Sequence, residues 1–145
     1  IGVGPIITAP YLDRPYLVFQ SSPNTLEINE YHEWAGDMHN EFARVLATNI
    51  GRKANTGNLQ IYPWASDTEI RYQVAVDVKR FHGTADGNAI LECSWRIYKL
   101  PGSTLVTSKS TTITEPLQKD GFQYLVAAQS RLIDRLSTKI TSSIR

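Results

Sequence analysis

Cys93 is the single cysteine of a 145-residue chain. It has no internal disulfide partner, and it cannot begin a four-ligand zinc site unless histidines supply nearly all the other ligands. A nucleophilic thiol needs partial exposure and a cationic neighbour. Cys93 instead shares one face of an alternating run with Leu91 and Trp95, so it reads as a small buried hydrophobe. His32, His39 and His82 are the only histidines. The first two stand seven apart, a spacing that two helical turns could align, but no His-x-x-x-His pair occurs, and all three read as solvated surface side chains. Serine, histidine and carboxylates are all present, as in almost any domain, without a Gly-x-Ser-x-Gly elbow. Gly51 and Gly57 sit in an unpatterned polar stretch rather than a phosphate-cradling loop. No catalytic, cofactor-binding or metal-ligating residue is therefore assigned, and the chain is expected to be neither an enzyme nor dependent on a cofactor.

A binding surface is better supported than chemistry. Pro10 and Pro15 bracket Tyr11, Leu12, Asp13 and Arg14, a loop-like segment mixing aromatic, aliphatic and charged side chains. Tyrosine and arginine are the types enriched at interface hot spots, although Asp13 and Arg14 would also suit a connector that caps backbone groups. Tyr11 to Pro15, with Trp34 nearby in the sequence, form the expected partner-binding patch. A second candidate is the chain end: Lys119 to Arg145 carries five bases against two acids. That balance suits a solvated helix face better than a lipid-binding one, which would need a denser basic cluster.

The elements that must position these residues follow from periodicity. Ile1 to Thr8 predicts a strand loosened by Gly2 and Gly4, and Tyr16 to Gln20 and Leu26 to Glu30 predict short strands pushed toward edges or turns by the prolines around them. Trp34, Met38, Phe42, Val45, Leu46 and Ile50 recur at helical spacing, with Gly51 as the stop. Leu59 to Pro63 predicts another short strand. Ile70, Tyr72, Val74, Val76 and Val78 alternate with polar residues, as do Ala89, Leu91, Cys93, Trp95 and Ile97, which predicts a long antiparallel hairpin turning at His82 to Asn88. Pro101-Gly102 turns the chain into a half-wet strand from Leu105 to Thr114. Leu125, Ala128, Leu132, Leu136, Ile140 and Ile144 mark a final helix from about Asp120, with Arg131, Asp134, Arg135 and Lys139 facing away.

The expected fold is therefore α/β, of the α+β kind: one domain over residues 1–145, with a mixed sheet of five to six strands, a long antiparallel hairpin and two main helices packed on the sheet. Length and composition agree, with 41% hydrophobic and 20% charged residues, because a chain of this size buries a real core. A net charge of +1 lacks the clustered positive excess of a nucleic-acid binder. No apolar run reaches the length of a membrane span.

The pieces in order resemble the auxiliary lipoproteins of ABC-type transport systems, which accompany the mammalian-cell-entry (MCE) phospholipid transporters of Gram-negative bacteria. The resemblance rests on Val3-Gly4-Pro5-Ile6 leading to Tyr11-Leu12-Asp13-Arg14-Pro15, Glu33-Trp34, and Arg44-Val45-Leu46-Ala47-Thr48-Asn49. Further on it takes in Tyr62-Pro63, Tyr72-Gln73-Val74 through Arg80-Phe81, Trp95, Ala127-Ala128-Gln129-Ser130 and Leu136-Ser137. It implies a fold similar to anticodon-binding and TolB amino-terminal domains. It also implies a lipidated cysteine upstream of Ile1, anchoring the domain at the outer membrane and facing the periplasm, where a cysteine without a partner is tolerated. The implied role is a non-catalytic docking subunit for an MCE-type substrate-conducting partner, with no nucleic acid involved. Self-assembly into a homo-oligomer suits a part that surrounds a conduit. The competing expectations are a periplasmic carrier holding an acyl chain between sheet and helices, and a hydrolase with an unfamiliar site.

Overall fold

The computed structural model describes residues 1–9, 16–22, 25–33, 38–65, 68–119 and 121–144, with side chains outside 16–39 and 122. Its elements in chain order are β1 (Gly2–Thr8), β2 (Tyr16–Ser22), β3 (Thr25–Glu33), α1 (Met38–Ala54), β4 (Gln60–Ile61), β5 (Tyr72–Gly83), β6 (Asn88–Lys99), β7 (Thr104–Pro116) and α2 (Phe122–Ile144). The seven strands form one mixed sheet. The expected class is present, with more strands than periodicity alone suggested.

β5 organises the sheet. β6 pairs with it antiparallel along its whole length, from Tyr72↔Lys99 to Gly83↔Ala89, and β7 continues antiparallel outward from β6. On the opposite edge, β1 runs parallel to the first half of β5, from Gly2↔Gln73 to Thr8↔Val78. β2 joins the same strand at its far end, at Phe19↔Gly83. β4 flanks β1 in parallel, and β3 closes the β2 side as a hairpin. Pro5 lies inside β1 yet breaks no ladder, because the register shifts between Val3 and Ile6 and such an irregularity absorbs a residue with no N–H to donate.

Both helices cover one face of the sheet and touch each other. Val3, Ile6, Val74, Val76, Val78, Leu91, Cys93, Trp95 and Ile97 meet Phe42, Leu46, Ile50, Leu125, Leu132 and Leu136 in one buried cluster. Phe42 of α1 stands edge-on to Phe81 of β5, with ring centroids 5.2 Å apart, a preferred aromatic geometry. Phe81 reaches this face because a bulge between Val78 and Arg80 inserts one extra residue. The even-numbered inward pattern of β5 thus becomes odd-numbered past Lys79.

Three expectations change. Gly51 does not stop α1, which runs on to Ala54. The helix ends instead at Asn55, whose φ of 52° is left-handed, with Thr56 N–H donating to Gly51 O at 3.1 Å, a helix end that asparagine tolerates. The expected strand from Leu59 to Pro63 shrinks to two residues. The hairpin turn is Thr84 to Gly87 rather than His82 to Asn88, so His82 sits inside β5 and is 3% exposed. It is not a surface histidine.

Candidate partner-binding site

Tyr11, Leu12, Asp13, Arg14, Pro15 and Trp34 all lie outside the described residues. The residues flanking them are placed. β1 delivers the chain to Ala9, whose N–H donates to Val78 O at 2.9 Å. β2 begins at Tyr16, directly after Pro15, and β3 ends at Glu33, directly before Trp34. Tyr16 and Glu33 are Cα partners across the hairpin. The described residue that follows the first stretch and the one that precedes the second are therefore neighbours in the sheet. Periodicity could not supply that juxtaposition, because it is set by register.

Tyr62 and Trp64, which follow β4, pack close against β1. Gly2 and Gly4 leave room on β1 for the segment after β4: a Cβ on Gly2 would meet the Trp64 ring and Ile70, and one on Gly4 would meet Tyr62 Cβ. Tyr62 and Trp64 stand edge-on with centroids 5.5 Å apart. The glycines were expected to loosen the strand. They instead admit two aromatic side chains. Tyr62 and Ile7 remain about half exposed.

Burial, then the negative charges of Glu92 and Asp77, push the Cys93 thiol up to about 12, so it holds its proton at neutral pH, the opposite of the lowered pKa of an activated thiol. Burial, then the positive charge of Arg80, lowers the pKa of His82. His32 lies on β3 and His39 on α1, so the two do not share a helix face. Among the described residues no three His, Cys, Asp or Glu side chains gather to hold a metal, and no helix is long and apolar enough to cross a membrane.

The basic end of the chain is partly committed internally. Arg131 and Arg135 do not face away from the fold. They bind Glu115 of β7 at 3.4 and 3.2 Å and donate to Pro116 O and Thr114 O. These carbonyls belong to β7, which among the described residues pairs only with β6, so the arginines cover part of a strand edge left open there. Asp134 also turns inward, to Lys53 of α1 at 3.1 Å and Arg52 at 3.3 Å.

The layer between helices and sheet, where a carrier would hold an acyl chain, is filled by the side chains of the core. A cavity of about 460 Å³ lies instead at the end of that layer, where α1 and α2 both terminate beside the start of β5. The Ile1 amine at its edge donates to Asn58 O at 2.8 Å.

Residues 1–141 match the family model described as the ABC-type transport auxiliary lipoprotein component. No curated protein sequence matches. Among solved structures, a protein described as uncharacterized has TM-score 0.85 at 21% identity, over 99% of this chain and 90% of its own. A Xanthomonas campestris protein of the DUF330 family has TM-score 0.81 at 17% identity, over 97% of this chain and 80% of its own. PelC from Paraburkholderia phytofirmans, solved as a dodecamer, has TM-score 0.54 at 14% identity, over 93% of this chain and 84% of its own. At these identities the structural likenesses establish the fold.

Proposed function

This chain belongs to the ABC-type transport auxiliary lipoprotein component family, and from that premise we propose that it is a non-catalytic docking subunit of an envelope transport system. In this reading a lipidated cysteine upstream of Ile1 anchors the domain at the periplasmic face of the outer membrane, in a Gram-negative bacterium. The domain then captures an MCE-type substrate-conducting partner that moves phospholipid or another lipophilic substrate. The observation that carries the reading is the family match across residues 1–141. The filled core and the protonated Cys93 support a structural rather than catalytic role.

Tyr11 to Pro15 and Trp34 remain the proposed contact, supported by the pairing of Tyr16 with Glu33 that puts the flanks of both stretches side by side. Self-association belongs to the same proposal, since a chain of this fold, PelC, was solved as a dodecamer. The anchor is tested by the intact mass of protein made from its complete precursor and recovered from membranes. A diacylglyceryl, N-acylated cysteine is expected at its start, and an unmodified soluble chain would overturn the reading. The contact is tested by the double variant Tyr11→Ala, Arg14→Ala, which should stay folded and lose capture of the MCE-type partner. Unchanged capture removes those residues from the site.

A further inference from the structure

The cavity at the helix ends has an unsatisfied polar floor. Ser130, Ser137, Thr138, Ser142 and Ser143 of α2 each donate their hydroxyl to the carbonyl four residues back. Thr141, 5% exposed and lining the cavity, has no hydrogen-bond partner for its Oγ1. A buried hydroxyl left alone is costly, and a ligand or water that reaches it recovers the loss. Asn58 commits its amide nitrogen to Glu69 O at 3.1 Å, which leaves its side-chain oxygen as an acceptor. Ala54, the last residue of α1, and Ile144 of α2 line the same space, and the carbonyls of the last turn of a helix such as α1 favour a cation. The floor therefore asks for a donor of several N–H groups.

The mouth carries both signs. Glu69 and Arg71 are exposed, and among the described residues neither side chain has an ion pair. The volume suits a headgroup-sized molecule, lying toward the small end of ligand pockets. We propose that this cavity binds the ammonium–phosphate zwitterion of phosphoethanolamine. The ammonium is held by Thr141, Asn58 and Glu69, and the phosphate pairs with Arg71 at the rim. A trimethylammonium group has no N–H to donate to Thr141 or Asn58, so the cavity discriminates against choline. The inference stands on the cavity and does not depend on the docking role.

Two sources share this chemistry, a phosphatidylethanolamine headgroup at a membrane and free phosphoethanolamine. The first probe is free O-phosphoethanolamine titrated into the isotope-labelled protein, followed by two-dimensional NMR. Saturable shifts are expected around Asn58, Glu69, Arg71 and Thr141. Arg71→Ala should weaken binding by about tenfold, as loss of a charge-assisted contact does. Thr141→Val should weaken it by about threefold, the loss of one neutral hydrogen bond. Lys139→Ala, outside the cavity, should leave it unchanged. Flotation with phosphatidylethanolamine-containing vesicles against pure phosphatidylcholine vesicles then assigns the source: selective flotation means the lipid, and binding of the free zwitterion without flotation means the soluble compound. Absence of saturable shifts at millimolar ligand, equal affinity for phosphocholine, or an Arg71→Ala protein that binds as wild type would overturn the assignment.

Discussion

Alanine at Gly2 and at Gly4 separates a steric cost from a backbone cost on the strand that supports the Tyr62–Trp64 segment. A Cβ on Gly2 would approach two Trp64 ring atoms at 2.7 and 2.8 Å and Ile70 Cδ1 at 3.2 Å. Those atoms are far ends of side chains, and Trp64 is only half-buried, so the ring can swing aside and give up its edge-on contact with Tyr62. The expected cost is about 1–2 kcal/mol. At Gly4 the obstacle is Tyr62 Cβ, which cannot move without the backbone, and φ is +127°. Overpacking of about 1–3 kcal/mol and backbone strain of about 1–3 kcal/mol combine to about 4 kcal/mol, a large share of the stability of an ordinary domain. In urea titrations followed by circular dichroism, with a slope of about 2 kcal/mol/M, the midpoint should fall by about 2 M for Gly4→Ala and by less than about 1 M for Gly2→Ala. In a Trp64→Ala background most of the Gly2→Ala penalty should disappear, because the atoms it collides with are gone. A Gly4→Ala cost no greater than that of Gly2→Ala, or a Gly2→Ala cost that survives removal of Trp64, would refute the argument.

Cys93, with its pKa pushed up to about 12, should resist iodoacetamide at pH 8 in the folded protein and react once urea unfolds it, as mass spectrometry will show. His82 has a folded pKa below its ordinary 6.5, so the unfolded chain binds the extra proton first. Its contribution to stability is complete above about pH 6.5 and lost progressively as pH falls below that value. His82→Gln should flatten this part of a stability-versus-pH curve. Glu115→Ala removes the carboxylate shared by Arg131 and Arg135. Both arginines are more than a third exposed, so the loss should be only about 1 kcal/mol, measurable in urea and smaller at high salt.

The proposed partner contact was legible in the sequence as a segment and not as a place. Tyr11 to Pro15 stand out by residue type, and so does Trp34, but only the pairing of Tyr16 with Glu33 relates them. The cavity could not be read at all. Its walls come from residue 1, the end of α1, the stretch before β5 and the end of α2, and no local pattern marks four distant stretches that happen to converge. In the sequence Thr141 is one hydroxyl among several on the same helix.

What the sequence determined by itself is what depends on one buried face at a time. The alternation from Tyr72 through Val78 and from Ala89 through Ile97, and the three-or-four spacing from Leu125 to Ile144, each state which side of an element must leave water. Those elements are present, with their apolar sides in the core. The tertiary structure decided what depends on non-local partners. It placed β1 and β2 on one edge of β5 and buried His82 by extending a strand past its apparent end. It turned Arg131 and Arg135 onto the carbonyls of β7. Periodicity records whether a side chain is buried, but a hydrogen-bonded register or an ion pair is a relation between two distant stretches, and neither stretch carries it alone.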